Sequence, residues 1–205
     1  MSVDYIKRFL KETSIIMNRK KEDLTMMDSV FGDGDLGLTM SDGFTAAYKV
    51  AYSSTESDCG KVLYFAGKAM GSAVPSTMGT LMAAGLMEAG KELHGRTVLT
   101  AHDFTTLFSA WFTGVSKLGK AQIGDKTFLD GLHPAVESLA GTENETLKER
   151  AKKAAAASKK GFDATKEMLA VHGRAATRGE KSRGIPDPGA AVAMYIMEGF
   201  DRSVS

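Results

Sequence analysis

The chain has 205 residues, 25% of them charged and 43% hydrophobic, with a net charge of +1; it can bury a core, is too apolar for disorder, and lacks the basic excess of a general nucleic-acid binder. Cys59 is the only cysteine, which excludes an internal disulfide framework and a cysteine metal cluster and fits a reducing compartment. No signal-like apolar run opens the chain and no stretch approaches the roughly 20 apolar residues of a membrane helix, so no membrane partner and a cytoplasmic location are expected.

In chain order, Val3, Tyr5, Ile6, Phe9 and Leu10, then Ile15, Ile16 and Met17, recur at helical spacing and predict an amphipathic first helix. A second helix over about 21–30 leads into Asp28-Ser29-Val30-Phe31-Gly32-Asp33-Gly34-Asp35-Leu36-Gly37. Asp33 and Asp35, two apart, can point the same way, and Asp28 can reach them from the helix end because the glycines let the chain fold back. Three such carboxylates repel one another without a cation, and magnesium is commonly held by carboxylates together with substrate phosphates. A solvated Asx/Gly turn is the competing reading. An EF-hand calcium loop is not, because its fifth position counted from Asp33 is Gly37.

Met40, Phe44, Ala47, Tyr48, Val50 and Ala51 predict a helix from Thr39, ended by the loop Ser53-Ser54-Thr55. A helix over 61–70 follows, then the small-residue segment 71–79, which reads either as a tight connection or as a place for close ligand approach. Residues 80–93 predict an Ala- and Met-rich helix. Thr100 with Asp103 reads as a variant capping box for a helix whose Phe104, Leu107, Phe108, Trp111 and Phe112 are expected in the core. A polar, glycine-flanked loop spans 119–127, and a helix containing Pro134 runs over about 127–140.

A long Ala/Lys/Glu-rich helix is expected over 143–170, with its basic run at 148–160 on a solvated face. Residues 173–189 hold four glycines, three arginines, Lys181 and two prolines without helical period. This reads as a long irregular loop, either a phosphate clamp or a surface lid. A helix starting near Pro188 would leave the backbone N–H groups within 188–190, those of Gly189 and Ala190, able to face an anion. No stretch alternates as a strand does, so the expected fold is all-α, one domain over 1–205 of about eight antiparallel helices with the glycine-rich loops gathered at one end.

The segments 32–40 and 119–127, and Gly173-Arg174-Ala175 followed by Asp187-Pro188-Gly189-Ala190, occur in the order and spacing of the nucleotide-binding L subunits of dihydroxyacetone kinases, which the chain resembles over nearly its whole length. The resemblance implies a closed helical barrel with ADP or ATP and two magnesium ions at one end. It implies Asp28, Asp33 and Asp35 as metal ligands. Leu36, Gly37, Leu38, Thr39, Ala73, Val74, Gly119, Phe128, Arg174, Asp187, Pro188 and Gly189 are implied at the nucleotide, and no catalytic residue separate from these groups.

It further implies phosphoryl transfer to a short ketose held by a separate K subunit, with ADP kept as a coenzyme and recharged by a phosphohistidine-carrying phosphotransferase protein. A two-component ATP-dependent ketose kinase and a non-catalytic nucleotide-binding adaptor are the alternatives. The chain departs from the family's usual pattern at Leu36, where a His is usual, at Thr39, where Asn is usual, at Ser72 and Pro75, where Gly is frequent, and at Ile185-Pro186, where a His precedes the Asp-Pro-Gly turn.

Overall fold

The computed structural model describes residues 1–141 and 145–205. Among the described residues there are nine α-helices and no strand: α1 (Val3–Arg19), α2 (Lys21–Ser29), α3 (Leu36–Ser53), α4 (Cys59–Ala73), α5 (Thr77–Glu92), α6 (Ala101–Gly119), α7 (Phe128–Ala140), α8 (Leu147–Ala164) and α9 (Pro188–Ser203). Short connections turn most successive helices back on one another, the long segment 165–187 between α8 and α9 being the exception. α1 packs on α3, and α3 to α7 each pack on the next. α7 and α8 pack on α9, and α9 returns to α1, closing a ring, with the short α2 set against α3 and α9. No helix among the described residues is long and apolar enough to cross a membrane.

The axis of the ring is filled by aromatic side chains. Phe9 of α1 meets Phe108, Trp111 and Phe200 edge-on at 5.7, 6.4 and 6.3 Å, while Phe44 stacks on Trp111 and Phe104 on Phe200. Edge-to-face and offset contacts of this kind suit the ring quadrupoles and fix the relative rotation of the helices that carry them. The expectation that Phe104, Leu107, Phe108 and Trp111 form core is met; Phe112 is only half-buried and lies against His133.

Several boundaries differ from the sequence reading for identifiable reasons. α3 begins at Leu36 and not at Thr39, because Asp35 takes the N-cap position and Leu36 is already buried in the core. The helix expected over 143–170 is shorter. Glu143 lies outside the described residues, and α8 starts at Leu147 after a reciprocal Thr146–Glu149 capping box. It ends at Ala164, where the Thr165 hydroxyl donates back to the Phe162 carbonyl at 2.6 Å and a 3-10 turn over Thr165–Glu167 follows. Pro134 sits in the middle of α7, where it removes a donor to the Asp130 carbonyl; that carbonyl faces Gly161 of α8. The segment 173–189 is not irregular throughout: Arg174–Ser182 forms 3-10 turns broken at Gly179. The capping box read at Thr100 and Asp103 is present.

Gly85 shows how closely the ring is packed. A Cβ there would lie 1.9 Å from Trp111 Cδ1, so the indole of α6 occupies the place a side chain would need on α5. Gly85→Ala is therefore expected to destabilise the fold by about 2 kcal/mol through overpacking, in spite of its better helix propensity. Denaturant unfolding followed by Trp111 fluorescence measures this, and an unchanged midpoint would contradict it.

Candidate functional site

The acidic segment forms a turn between α2 and α3, at the end of the ring. Gly34 adopts φ +74°, and its N–H donates to Asp28 Oδ2 at 2.9 Å; a side chain at 34 would be strained and would meet Ser29 Oγ at 2.5 Å. The Gly32 N–H donates to the Asp28 carbonyl at 2.6 Å. Asp28 is thus wrapped by the turn it initiates. Asp35 is the N-cap of α3 but makes no side-chain cap bond, so its carboxylate stays available at the cleft. Asp28, Asp33 and Asp35 each offer an oxygen within 4.8 Å of the others.

Local desolvation at the cleft, with Asp33 and Asp28 beside it, holds the Asp35 carboxyl above its ordinary pKa, against the pull of Arg174. Such a cluster of oxygen donors under mutual repulsion suits a hard divalent cation. The arrangement fits magnesium by donor type and by proximity.

Residues 165–187 fold as a flap against this turn. Arg174 Nη2 reaches Asp33 Oδ2 at 2.5 Å, which ties the flap to the acids. On its other side the flap is held by the α6–α7 loop. His172 Nε2 lies 3.0 Å from Asp125 Oδ2, the Val171 N–H donates to the Asp125 carbonyl at 3.2 Å, and the Lys126 ammonium donates to the carbonyls of Met168 and Ser182.

Between acids, flap and loop lies a cleft of about 320 Å³ that continues into a second of about 800 Å³; Ser76, Thr77, Met78, Lys126, His172 and Gly173 border both. The first carries Asp28, Asp33, Asp35, Leu36, Arg174, Asp187, Pro188 and Gly189. The second carries Gly119 and Phe128, and its wall of Leu81, Val115, Leu118, Phe128 and Leu129 is apolar enough for a planar ring. The start of α5 at Ser76–Met78 stands where the two join, in the position where a helix N-terminus attracts an anion.

The structure therefore brings ten of the sequence-selected residues to one continuous cleft and leaves five outside its lining. Gly37 is buried, with Lys21 O only 2.0 Å from where its Cβ would be, so it serves the packing of α3 on α2. Leu38 is exposed, and Thr39 is buried in α3. Ala73 ends α4 on the surface, and Val74 turns inward against Gly43. The backbone N–H of Ala190, expected to face an anion, instead donates to Asp187 Oδ2 at 2.7 Å, because Asp187 caps α9 itself. The sequence marks the segments 71–79, 119–127 and 173–189, but Ser76–Met78, Lys126 and Gly173 are not selected within them, and His172 lies outside all three; Ser76 three residues before Gly79, with the helix after it, is the local signal of an N-cap that was there to read.

The description "DAK2 domain" matches residues 30–202 of the chain. The chain is 32% identical over 200 residues, 97% of its own length and 95% of the relative's, to the PEP-dependent dihydroxyacetone kinase ADP-binding subunit DhaL of Escherichia coli K12. It is 32% identical over 178 residues to the L-erythrulose 1-kinase of Mycolicibacterium smegmatis, covering 86% of this chain and 31% of that enzyme. The fold is similar to the crystal structure of the dihydroxyacetone kinase from C. freundii in complex with AMP-PNP and Mg2+, with a TM-score of 0.72 at 19% identity, over 96% of this chain. The chain spans about a third of that structure's length, 33%.

Asp187 lines the cleft with part of its surface open, yet desolvation of the rest pushes its carboxyl up to about 7, against the pull of the Ala190 N–H and Lys126. A folded-state pKa raised from 3.8 means that the native state binds the proton that the unfolded chain releases, so this group's contribution to stability falls as pH rises from about 4 to about 7. Asp187→Asn keeps a cap oxygen but cannot ionise. It is expected to flatten the loss of stability over that interval, as read by denaturant midpoints at a series of pH values; parallel curves for the two proteins would contradict the assignment.

Proposed function

The chain belongs to the DAK2 domain family, and on that premise we propose that it is the nucleotide- and magnesium-binding subunit of a dihydroxyacetone-type kinase, with residues 1–205 acting as one such domain. The observation that carries the proposal is the continuity of the three-carboxylate turn with a cleft that has a helix N-terminus at its middle and an apolar pocket beyond. In this reading Asp28, Asp33 and Asp35 hold two magnesium ions, the phosphates of ADP or ATP lie between these acids and Ser76–Met78, and the base enters the pocket beside Gly119 and Phe128. Leu36 and Asp187–Gly189 wall the phosphate end.

Phosphoryl transfer asks for alignment and for neutralisation of charge on the transferred group, and bound magnesium supplies much of that neutralisation. The protein's own groups supply the rest. The Arg174 guanidinium, already at the acids, can offer a planar pair of donors to a phosphate oxygen. The flap carrying it covers the cleft and limits access of water to the transferring group. Gly37, Thr39 and Val74 act in this account by packing the helices that shape the site.

The acceptor is proposed to be a short ketose held by a separate K subunit. Exposed apolar side chains on the elements that border the cleft, Met26 on α2, Val30 in the acidic turn, Leu38 on α3, Leu118 on α6, Ile123 in the α6–α7 loop and Val171 in the flap, support a docking face there. Retention of ADP as a coenzyme, recharged by a phosphohistidine protein, is favoured by similarity to a subunit named as ADP-binding and PEP-dependent along nearly its whole length.

Asp33→Asn removes one charge from the cluster and frees Arg174. The expected outcome is at least a ten-fold weaker affinity for MgADP by titration calorimetry, on the scale of losing one charge-assisted ligand, with little change in binding of ADP in EDTA. Unchanged magnesium-dependent binding would remove Asp33 from the site.

A further inference from the structure

We propose that Lys126 is a positioning residue of this site, pinning the neck of the flap over the cleft so that nucleotide affinity depends on its ammonium group. The inference rests on the nucleotide reading given above. It begins from a side chain in an unfavourable place: Lys126 is 4% exposed, and among the described residues it forms no ion pair. Burial pulls its pKa down, opposed by the field of Asp187. A buried ammonium without a bonded carboxylate is costly. Its backbone is unfavourable as well, with φ +63° in a non-glycine residue.

Both features are explained by where the ammonium arrives. It donates to the carbonyls of Met168, at 3.3 Å, and Ser182, the two residues that flank the flap's cleft-facing part. Between those carbonyls lie His172, Gly173 and Arg174, which face the cleft. Ser182 Oγ accepts the Ala170 N–H at 3.1 Å and closes the same neck.

The anchor itself cannot slide. Thr127, the next residue, is the N-cap of α7, and its N–H is held by Asp130 Oδ2 at 2.7 Å. Asp125, on the other side, fastens Val171 and His172. The left-handed turn at Lys126 is what allows one loop to cap α7 and still send an ammonium under the flap. Without that ammonium two carbonyls lose their donor, and the flap loses the link between its ends.

The test uses the full chain with MgADP as the probe. Lys126→Met keeps the apolar stem and removes the donor. Its dissociation constant for MgADP, by calorimetry, is expected to rise about ten-fold, the scale of leaving buried acceptors unpaired, while Lys126→Arg, which still offers N–H donors to both carbonyls, stays within about three-fold of the parent. Amide hydrogen exchange is expected to quicken over 169–181 in Lys126→Met and to stay unchanged in α1 and α6.

A folded Lys126→Met with unchanged affinity and unchanged exchange would overturn the proposal, as would a lowered unfolding midpoint with affinity intact, which would make the residue merely structural. Should Lys126→Met not fold, Ser182→Ala, which opens the same neck, is expected to weaken MgADP binding about three-fold and to quicken exchange over 169–181; no change in either would overturn the proposal equally. If the parent chain binds no MgADP, the nucleotide reading fails, and the exchange experiment still decides whether Lys126 holds the flap.

Discussion

Three carboxylates whose oxygens lie within 4.8 Å of one another repel strongly, and much of the end of this barrel is arranged to keep them there. The turn between α2 and α3 holds Asp28 through the Gly34 N–H, and Asp35 forgoes the side-chain bond that an N-cap aspartate normally makes. Arg174 then crosses from a segment 141 residues away to meet Asp33. A turn left to itself would splay these acids into water. Their convergence depends on two helices being locked into the ring behind them, which is why the aromatic axis around Phe9, Trp111 and Phe200 bears on the chemistry as well as on the fold.

Closure of the ring also places the second half of the site. α9 packs on α1, α7 and α8, and Asp187 begins α9 at the cleft wall. The flap between α8 and α9 is consequently anchored at its far end by a core helix and at its near end by Thr165, whose hydroxyl accepts the Asp187 N–H at 2.9 Å. Lys126 and Asp125 add the fastening between. The flap's own interior is mostly local turns with few buried side chains, so its position comes from these bonds and not from hydrophobic contact, as suits a segment that must let a nucleotide enter and leave.

Much of this was legible from residue spacing. The helical period gave the helices, and the acidic turn was readable because its three ligand candidates fall within one short stretch, where local geometry decides which way they point. The loops at 119–127 and 173–189 also meet at one end. What was not legible was non-local or depended on a shift of a few residues. Lys126 bonds to partners 42 and 56 residues away, and nothing in Gly124-Asp125-Lys126-Thr127 announces them. The small-residue segment does reach the cleft, but through Ser76–Met78: α4 runs on to Ala73, which leaves Ala73 on the surface and turns Val74 into the core. At the start of α9 the open N–H groups inferred from Pro188 are claimed by Asp187, a competition between a side chain and a ligand for the same donors that sequence alone does not resolve.

The central claim, that the acidic turn and the adjoining cleft together bind one nucleotide with two magnesium ions, is tested most directly by the mass of the gently purified chain under non-denaturing conditions in magnesium-containing buffer. The account predicts a species heavier than the polypeptide by one ADP and two magnesium ions, reverting to the bare chain after EDTA and dialysis. A chain that carries no nucleotide and acquires none from added MgADP, or one that binds ADP equally well in EDTA, would contradict it.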